Sequence, residues 1–484
     1  MFVGMYRIVI VGGGIAGLAA AWELVSSAPD VEVTILEQTD RVGGKLRREK
    51  VGGHLVDVGA EAMLALRPEA RHLIEEIGAG ADLVTPATVA ASVYSYGALH
   101  PMPPRSMMGI PQQPGDAAGI LSDAEVARLA APEPVPPLES DASVGDYVAA
   151  ALGDAVVDRL VEPLLGGVYA GQARKLSLAA TMPQLYARAV DGEPPVAYGT
   201  QKHEATSPGP KPPPATPDSE KLSAQSPSPF IGLRGGVGRL PEIVADAVRE
   251  RGVQIRTGVT VRGIAPQPAG GWRLTCGPTT DVEHVYADAV ILTTPAAATR
   301  KLLEPVAPEA AELIAGIETA SAAVVTFAFP SAQMPDLAGS GFLVPPVEGF
   351  TVKASTFSSN KWAWMPEQFP DVTYVRASLG RHGDEAALQR SDDDLADLAL
   401  TDLTGILGVT LPAPIGVHVQ RWGGGLPQYG VGHLDRIALL RKEITNHAGL
   451  QVAGAAYDGV GIPAVIASGR RAAQDLAATA GLRD

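Results

Sequence analysis

Three glycines spaced as Gly12-x-Gly14-x-x-Gly17 follow the apolar run YRIVIV (6–11) near the start of this 484-residue chain. In that spacing, between a buried strand and the start of a helix, each glycine has a separate task. The first makes a tight turn, the second admits a pyrophosphate to the backbone, and the third lets helix and strand pack closely. Backbone N–H groups of the helix start, around Gly13, Gly14, Ile15 and Ala16, then face the phosphates. Glu37 stands twenty residues after Gly17, at the end of a second strand, VEVTIL, and is followed by Gln38. An acid at that offset accepts hydrogen bonds from ribose hydroxyls. The chemistry this pattern implies is dinucleotide binding.

A second glycine pair follows at once, in Arg41-Val42-Gly43-Gly44-Lys45, and a small-residue stretch, Gly59-Ala60-Glu61-Ala62, comes soon after. A plain nicotinamide site does not need them. A longer cofactor lying extended does, because backbone must approach it at several places. The other end of the chain carries a related signal, QVAGAAYDGVGIPAVIASGRRAAQDL, which reads as strand, Gly-rich turn, early proline and long helix. Asp458 is expected to reach a hydroxyl of the cofactor. The turn Val460-Gly461-Ile462 is expected to aim a helix N-terminus at a ring that gains negative charge on reduction.

The elements that must hold these residues are legible in outline. Residues 6–11 are apolar throughout, as a parallel strand covered on both faces should be. A helix is expected at about 15–26 and a hairpin over LRREKVGGHLVDVG. Another helix follows Pro68, and another hairpin turns near Gly97. PEPVPPLE (132–139) separates two helical patches, the second running from about Val144 to Tyr186. From Gly192 to Pro229 the chain is rich in Pro, Ser, Lys and Thr, with almost nothing apolar, and reads as a flexible surface insertion. Strands are expected at 253–264, 271–276 and 287–293, with more β-type sequence at 320–380, helices near 391–405 and 433–447, and a final strand and helix. Parallel-strand patterns at both ends, with antiparallel material between, point to an α/β nucleotide-binding domain assembled from separated segments and carrying an inserted second domain.

Composition narrows the partners. Lys and Arg number 38 against 53 Asp and Glu, a net charge of −15, which argues against nucleic acid and anionic membrane surfaces. Cys276 is the only cysteine, so no disulfide or thiolate cluster is available and a reducing cytoplasm is expected. Ile8–Val25 is interrupted by glycines and Glu23, and no integral membrane segment is expected. The nine histidines show no metal spacing. No general base stands out, which is tolerable where a cofactor carries the hard chemistry.

The Arg-x-Gly-Gly segment resembles that of the flavin amine-oxidase superfamily, in which it crosses the pyrophosphate and continues toward the flavin. The resemblance implies FAD as the cofactor. It also implies a backbone contact to adenine from Val261 in TGVTVRGI (257–264) and an aromatic, Trp422, beside the flavin. Along nearly the whole chain the sequence looks like the protoporphyrinogen/coproporphyrinogen oxidase family, specifically its soluble bacterial, coproporphyrin-forming type. The matching stretches are LHPMP with MGIP, EPLLGGVYAG, KLSLAATMPQL, FTVKASTFSSNKW, GRHGDE and RWGGGLPQYGVGH. Only 192–229 departs, being longer than the family's usual connection. The resemblance implies an FAD-binding domain from 1–88, 231–315 and 440–484, an α+β substrate domain from 89–104 and 316–439, a helical subdomain at 105–191 and a loop at 192–230. It also implies oxidation of coproporphyrinogen III by O2, through the flavin, to coproporphyrin III and H2O2. Four propionates on that substrate call for cations at a broad apolar pocket, and Arg67, Arg105, Lys175, Arg188 and Lys353 lie in or beside the matching stretches. Protoporphyrinogen IX is the alternative substrate, and a redox-inactive escort protein on the same scaffold the alternative class.

Overall fold

The computed structural model describes residues 5–28, 30–104, 106–196 and 228–482; most of the expected 192–230 loop, and Arg105, lie outside them. A five-stranded parallel sheet has the order Gln254–Arg256, Val31–Leu36, Tyr6–Val11, Ala289–Leu292, Leu450–Val452. Its strands therefore come from the beginning, the middle and the end of the chain. Ile8 and Ile10 bury against the helices Ile15–Ser27 and Ile462–Ala480, which lie on each other. Val9 and Val11 bury against the opposite layer, built on the antiparallel strands Val261–Pro266, Trp272–Cys276 and Glu283–Ala287. Both faces are dry, which is why residues 6–11 show no polar alternation.

A second, seven-stranded sheet has the order Gly416–Pro427, Thr319–Pro330, Val372–Leu379, Val352–Phe357, Gly341–Leu343, Ala91–Ser95, Ala98–Pro101. Val325, Phe327, Val375, Ala377 and Leu379 pack on the helix Asp392–Leu407. Alternation sends Val324, Ala354, Thr356, Arg376 and Ser378 to the other face. Apart from Arg376 these remain half-buried. The helix Glu162–Tyr169 covers one edge of that face, Gly167 meeting Leu343 at 3.8 Å from the position a Cβ would take. The sheet is irregular between Val352 and Ala354, where an extra residue, Lys353, interrupts the register.

The helical patch expected from about Val144 to Tyr186 consists of several short helices. Val144–Leu152 ends at Gly153, with φ +96°, and Glu162–Tyr169 ends at Ala170, with φ +49°, both outside helical backbone. Helices Ala296–Leu303 and Pro308–Ala315, packed beneath the parallel sheet, had no counterpart in the sequence reading.

Candidate functional site

At the nucleotide end, Gly12 has φ +111° and turns directly beneath Thr293, whose Oγ1 lies 2.7 Å from where a Cβ would be. Gly17 allows the closest packing, since a Cβ there would meet the Gly12 carbonyl oxygen at 2.1 Å. Gly14 is different: no heavy atom stands within 4 Å of its Cβ position. Gly14 is also the N-cap of Ile15–Ser27, with no side-chain cap and no acid in the first turn, which contains Ile15 and Ala16. Glu37 accepts from the Gly13 amide at 2.7 Å and from the Thr39 amide at 2.9 Å. Gln38 beside it is exposed. The Val259 amide donates to the Glu37 carbonyl and the Gly258 amide to that of Thr39, which brings the segment leading into Val261 alongside Glu37.

The Arg41–Lys45 segment runs next to this turn. The Gly43 amide donates to the Gly13 carbonyl at 2.8 Å, and a Cβ at Gly44 would stand 3.5 Å from the Gly14 Cα. The Arg41 guanidinium folds back on its own loop, donating to the carbonyls of Val42 and Gly44 at 3.1 and 2.9 Å. Lys45 reaches across to the carbonyl of Gly425. Burial holds its amine below the ordinary lysine range. Gly59 is wedged between the Lys45 carbonyl, 2.4 Å from its Cβ position, and the Trp422 ring at 3.3 Å. Lys45, Gly59 and Trp422 therefore form one cluster between the two sheets.

Ala60 is exposed and Ala62 half-buried. Glu61 is bound to the second sheet, its carboxylate accepting from Arg376 at 2.8 Å, Lys361 at 3.0 Å and Ser358 at 2.8 Å. Burial alone would raise this carboxyl, but Lys361 and Arg376 hold it well below the usual carboxylate range.

At the C-terminal turn, Gly461 is the N-cap of Ile462–Ala480, again with no side-chain cap and no first-turn acid. Val460 packs on the helical region. Asp458 is engaged by Arg441, by Arg471 and by the Ser468 hydroxyl. Burial would raise its carboxyl, and those donors outweigh burial and lower it. Tyr429 ties this turn to the strand bearing Trp422, accepting from the Gly459 amide at 2.7 Å and donating to the Ala455 carbonyl.

The five candidate substrate cations part company. Arg67 lies at the C-terminal turn, its Nη1 4.0 Å from the Cβ position of Gly459, and pairs with Glu69 at 2.7 Å. Lys175 is exposed, on a loop whose neighbour Leu176 bridges to Gly430. Arg188 closes its own helix end on the Pro194 carbonyl at 2.8 Å, away from the rest. Arg105 is not among the described residues. Lys353 is buried on the second sheet, and burial, with Arg381 beside it, pushes its amine down to about 7.

These residues fit a long dinucleotide. The helices Asp123–Ala130, Val144–Leu152 and Asp392–Leu407 begin with serine caps and first-turn acids. Ile15–Ser27 and Ile462–Ala480 have neither, so their positive ends are left for an anionic ligand. The model for "Flavin containing amine oxidoreductase" matches residues 15–477.

The chain belongs to that family. FAD is accordingly its cofactor and oxidoreduction its chemistry. Two relatives named coproporphyrinogen III oxidase are similar along nearly their full length. The protein from Mycobacterium tuberculosis is 37% identical over 96% of this chain and 95% of its own. That from Bacillus subtilis is 33% identical over 98% of each. Human protoporphyrinogen oxidase is 27% identical over 98% of each. A crystal structure from Exiguobacterium sp. 255-15, of a protein provisionally named a protoporphyrinogen oxidase, matches with TM-score 0.81 and 33% identity over 97% of this chain and 98% of that one. Among the described residues, no helix is long and apolar enough to cross a membrane.

Proposed function

We propose that the protein is a cytoplasmic, FAD-dependent oxidase that converts coproporphyrinogen III to coproporphyrin III in haem biosynthesis, with O2 as the acceptor and H2O2 as by-product. What supports this reading is the full-length similarity to coproporphyrinogen III oxidases, at 33–38% identity for the mycobacterial and Bacillus subtilis proteins and 27–29% for others of that name, against 27% for the human protoporphyrinogen enzyme. When bound, FAD supplies the hydride acceptor and passes electron pairs to O2.

The chain's own residues supply binding and orientation. The uncapped starts at Gly14 and Gly461 hold the phosphates and the electron-rich ring edge, and Glu37 takes the ribose hydroxyls. Gly44 lies against the pyrophosphate path. The Lys45–Gly59–Trp422 cluster walls the cofactor from the second sheet. The half-buried face of Val324, Ala354, Thr356 and Ser378 is a floor of small side chains on which a macrocycle can lie. Arg67, at the C-terminal turn, is placed to meet a propionate.

Protoporphyrinogen IX is the competing substrate, favoured by the name and likeness of the Exiguobacterium structure. Both porphyrinogens, assayed side by side by porphyrin fluorescence, decide between them. Coproporphyrinogen III is expected to show kcat/KM at least about tenfold higher, roughly 1.4 kcal/mol, with O2 consumed and H2O2 formed in equal amounts. The reverse preference, or porphyrin formation that continues without O2, overturns the proposal.

A further inference from the structure

The seven-stranded sheet fixes how far Lys353 stands from the cofactor side. Trp422 pairs with Ala322, the adjacent Ala323 with Leu379, and Leu379 with Val352, next to Lys353. Three inter-strand steps of about 4.8 Å place Lys353 roughly 14 Å from Trp422 across the sheet. That is comparable to the span of a tetrapyrrole carrying an extended propionate.

Lys353 is 6% exposed, and among the described residues its amine has no hydrogen-bond or ion-pair partner. A lysine ordinarily carries its ammonium out to water, and leaving that charge buried without a partner is costly. The neighbouring charges do not relieve it. Glu162, on the covering helix, accepts from the Ala173 amide at 2.6 Å. Asp384 bridges to Arg381 through the backbone and acts, with Glu162, on Arg381. Arg381 is a second cation: its guanidinium donates to the Val344 carbonyl at 3.1 Å, and the Val344 amide donates to the Lys353 carbonyl at 2.9 Å. Two cations are thus fixed on one turn, with no carboxylate paired to Lys353.

We propose that Lys353, with Arg381 behind it, is a specificity-determining seat for one propionate carboxylate at the pocket edge remote from the cofactor. The inference rests on the functional reading above. Burial separates Lys353 from Arg67, Lys175 and Arg188, and the lack of a carboxylate partner separates it further from Arg67 and Arg188. A propionate supplies the missing anion, and the cost of the buried amine is then recovered in the complex.

Binding of coproporphyrin III and of its tetramethyl ester, followed by fluorescence titration of the FAD-loaded protein, tests this. Lys353→Met is expected to weaken coproporphyrin III at least about tenfold and to leave the ester unchanged, while Lys353→Arg stays within about threefold of wild type. Flavin content should not change. The melting temperature of ligand-free Lys353→Met should rise, because an unpaired buried amine has been removed. Equal weakening of acid and ester, no weakening, or a melting temperature lowered by several degrees overturns the seat. A wild-type protein that binds neither porphyrin overturns the functional reading itself, and the seat with it.

Discussion

Replacing Gly14 by valine strips the flavin from the purified protein and leaves the chain folded. The Cβ position at Gly14 has no heavy atom within 4 Å, so valine finds room in the protein alone. That room lies over the uncapped helix start, where the phosphates bind, and the added side chain occupies it. Gly17→Val, three residues on, has the opposite consequence. A Cβ there would stand 2.1 Å from the Gly12 carbonyl oxygen, between strand and helix, and the fold fails. Flavin absorbance per protein after gel filtration, with melting curves of the apoproteins, measures both. Gly14→Val should lose flavin more than about tenfold, at least roughly 1.4 kcal/mol of affinity, and melt within a few degrees of wild-type apoprotein. A yellow, fully loaded Gly14→Val would refute the nucleotide placement.

The second large effect is expected at Glu61. Its side chain is 10% exposed, and it is the carboxylate on which Arg376 and Lys361, themselves 9% and 15% exposed, both converge. Glu61→Ala strands two buried cations, at a cost of about 3–5 kcal/mol in urea unfolding. Glu61→Gln keeps an acceptor and should cost less. In the wild type the carboxyl is held below its unfolded value, so its contribution is present above the ordinary carboxylate range. It is lost only as pH falls through the lowered folded value. A Glu61→Ala protein as stable as wild type at neutral pH would show that the pair contributes nothing net.

The parts of the site readable in the sequence are those in which a local pattern dictates local backbone. Gly12, Gly14 and Gly17 specify a turn, an open approach and a close crossing within six residues, and the Gly-rich turn before Pro463 announces a helix start in the same way. Side-chain partners were less readable, because tertiary packing sets them. Glu61 is legible as part of a small-residue crossing, whereas its ties to Lys361 and Arg376 come from a short helix and a strand some 300 residues away. Arg41 reads from its motif as a cofactor contact, yet its guanidinium closes its own loop. Asp458 reads as a cofactor contact too, yet two helices bring Arg441 and Arg471 onto it. The helices at 296–303 and 308–315 are not legible in the sequence because, in short alanine-rich segments, helical periodicity is weak. Five cations could be named as candidates, but burial, which distinguishes Lys353, depends on a sheet irregularity that composition does not encode.

The order of strands in the parallel sheet also has a consequence for biogenesis. Tyr6–Val11 lies at its centre, while Leu450–Val452 and the helix that covers Ile15–Ser27 are synthesised after every other strand of that sheet. At about 5–20 residues per second, the first strand leaves the ribosome roughly 20–90 s before its final neighbours exist. Ile8 and Ile10 lack that cover during the interval, and the turn at Gly461 is not yet present. A product that stops before Gly461 is therefore expected to be both colourless and prone to aggregate.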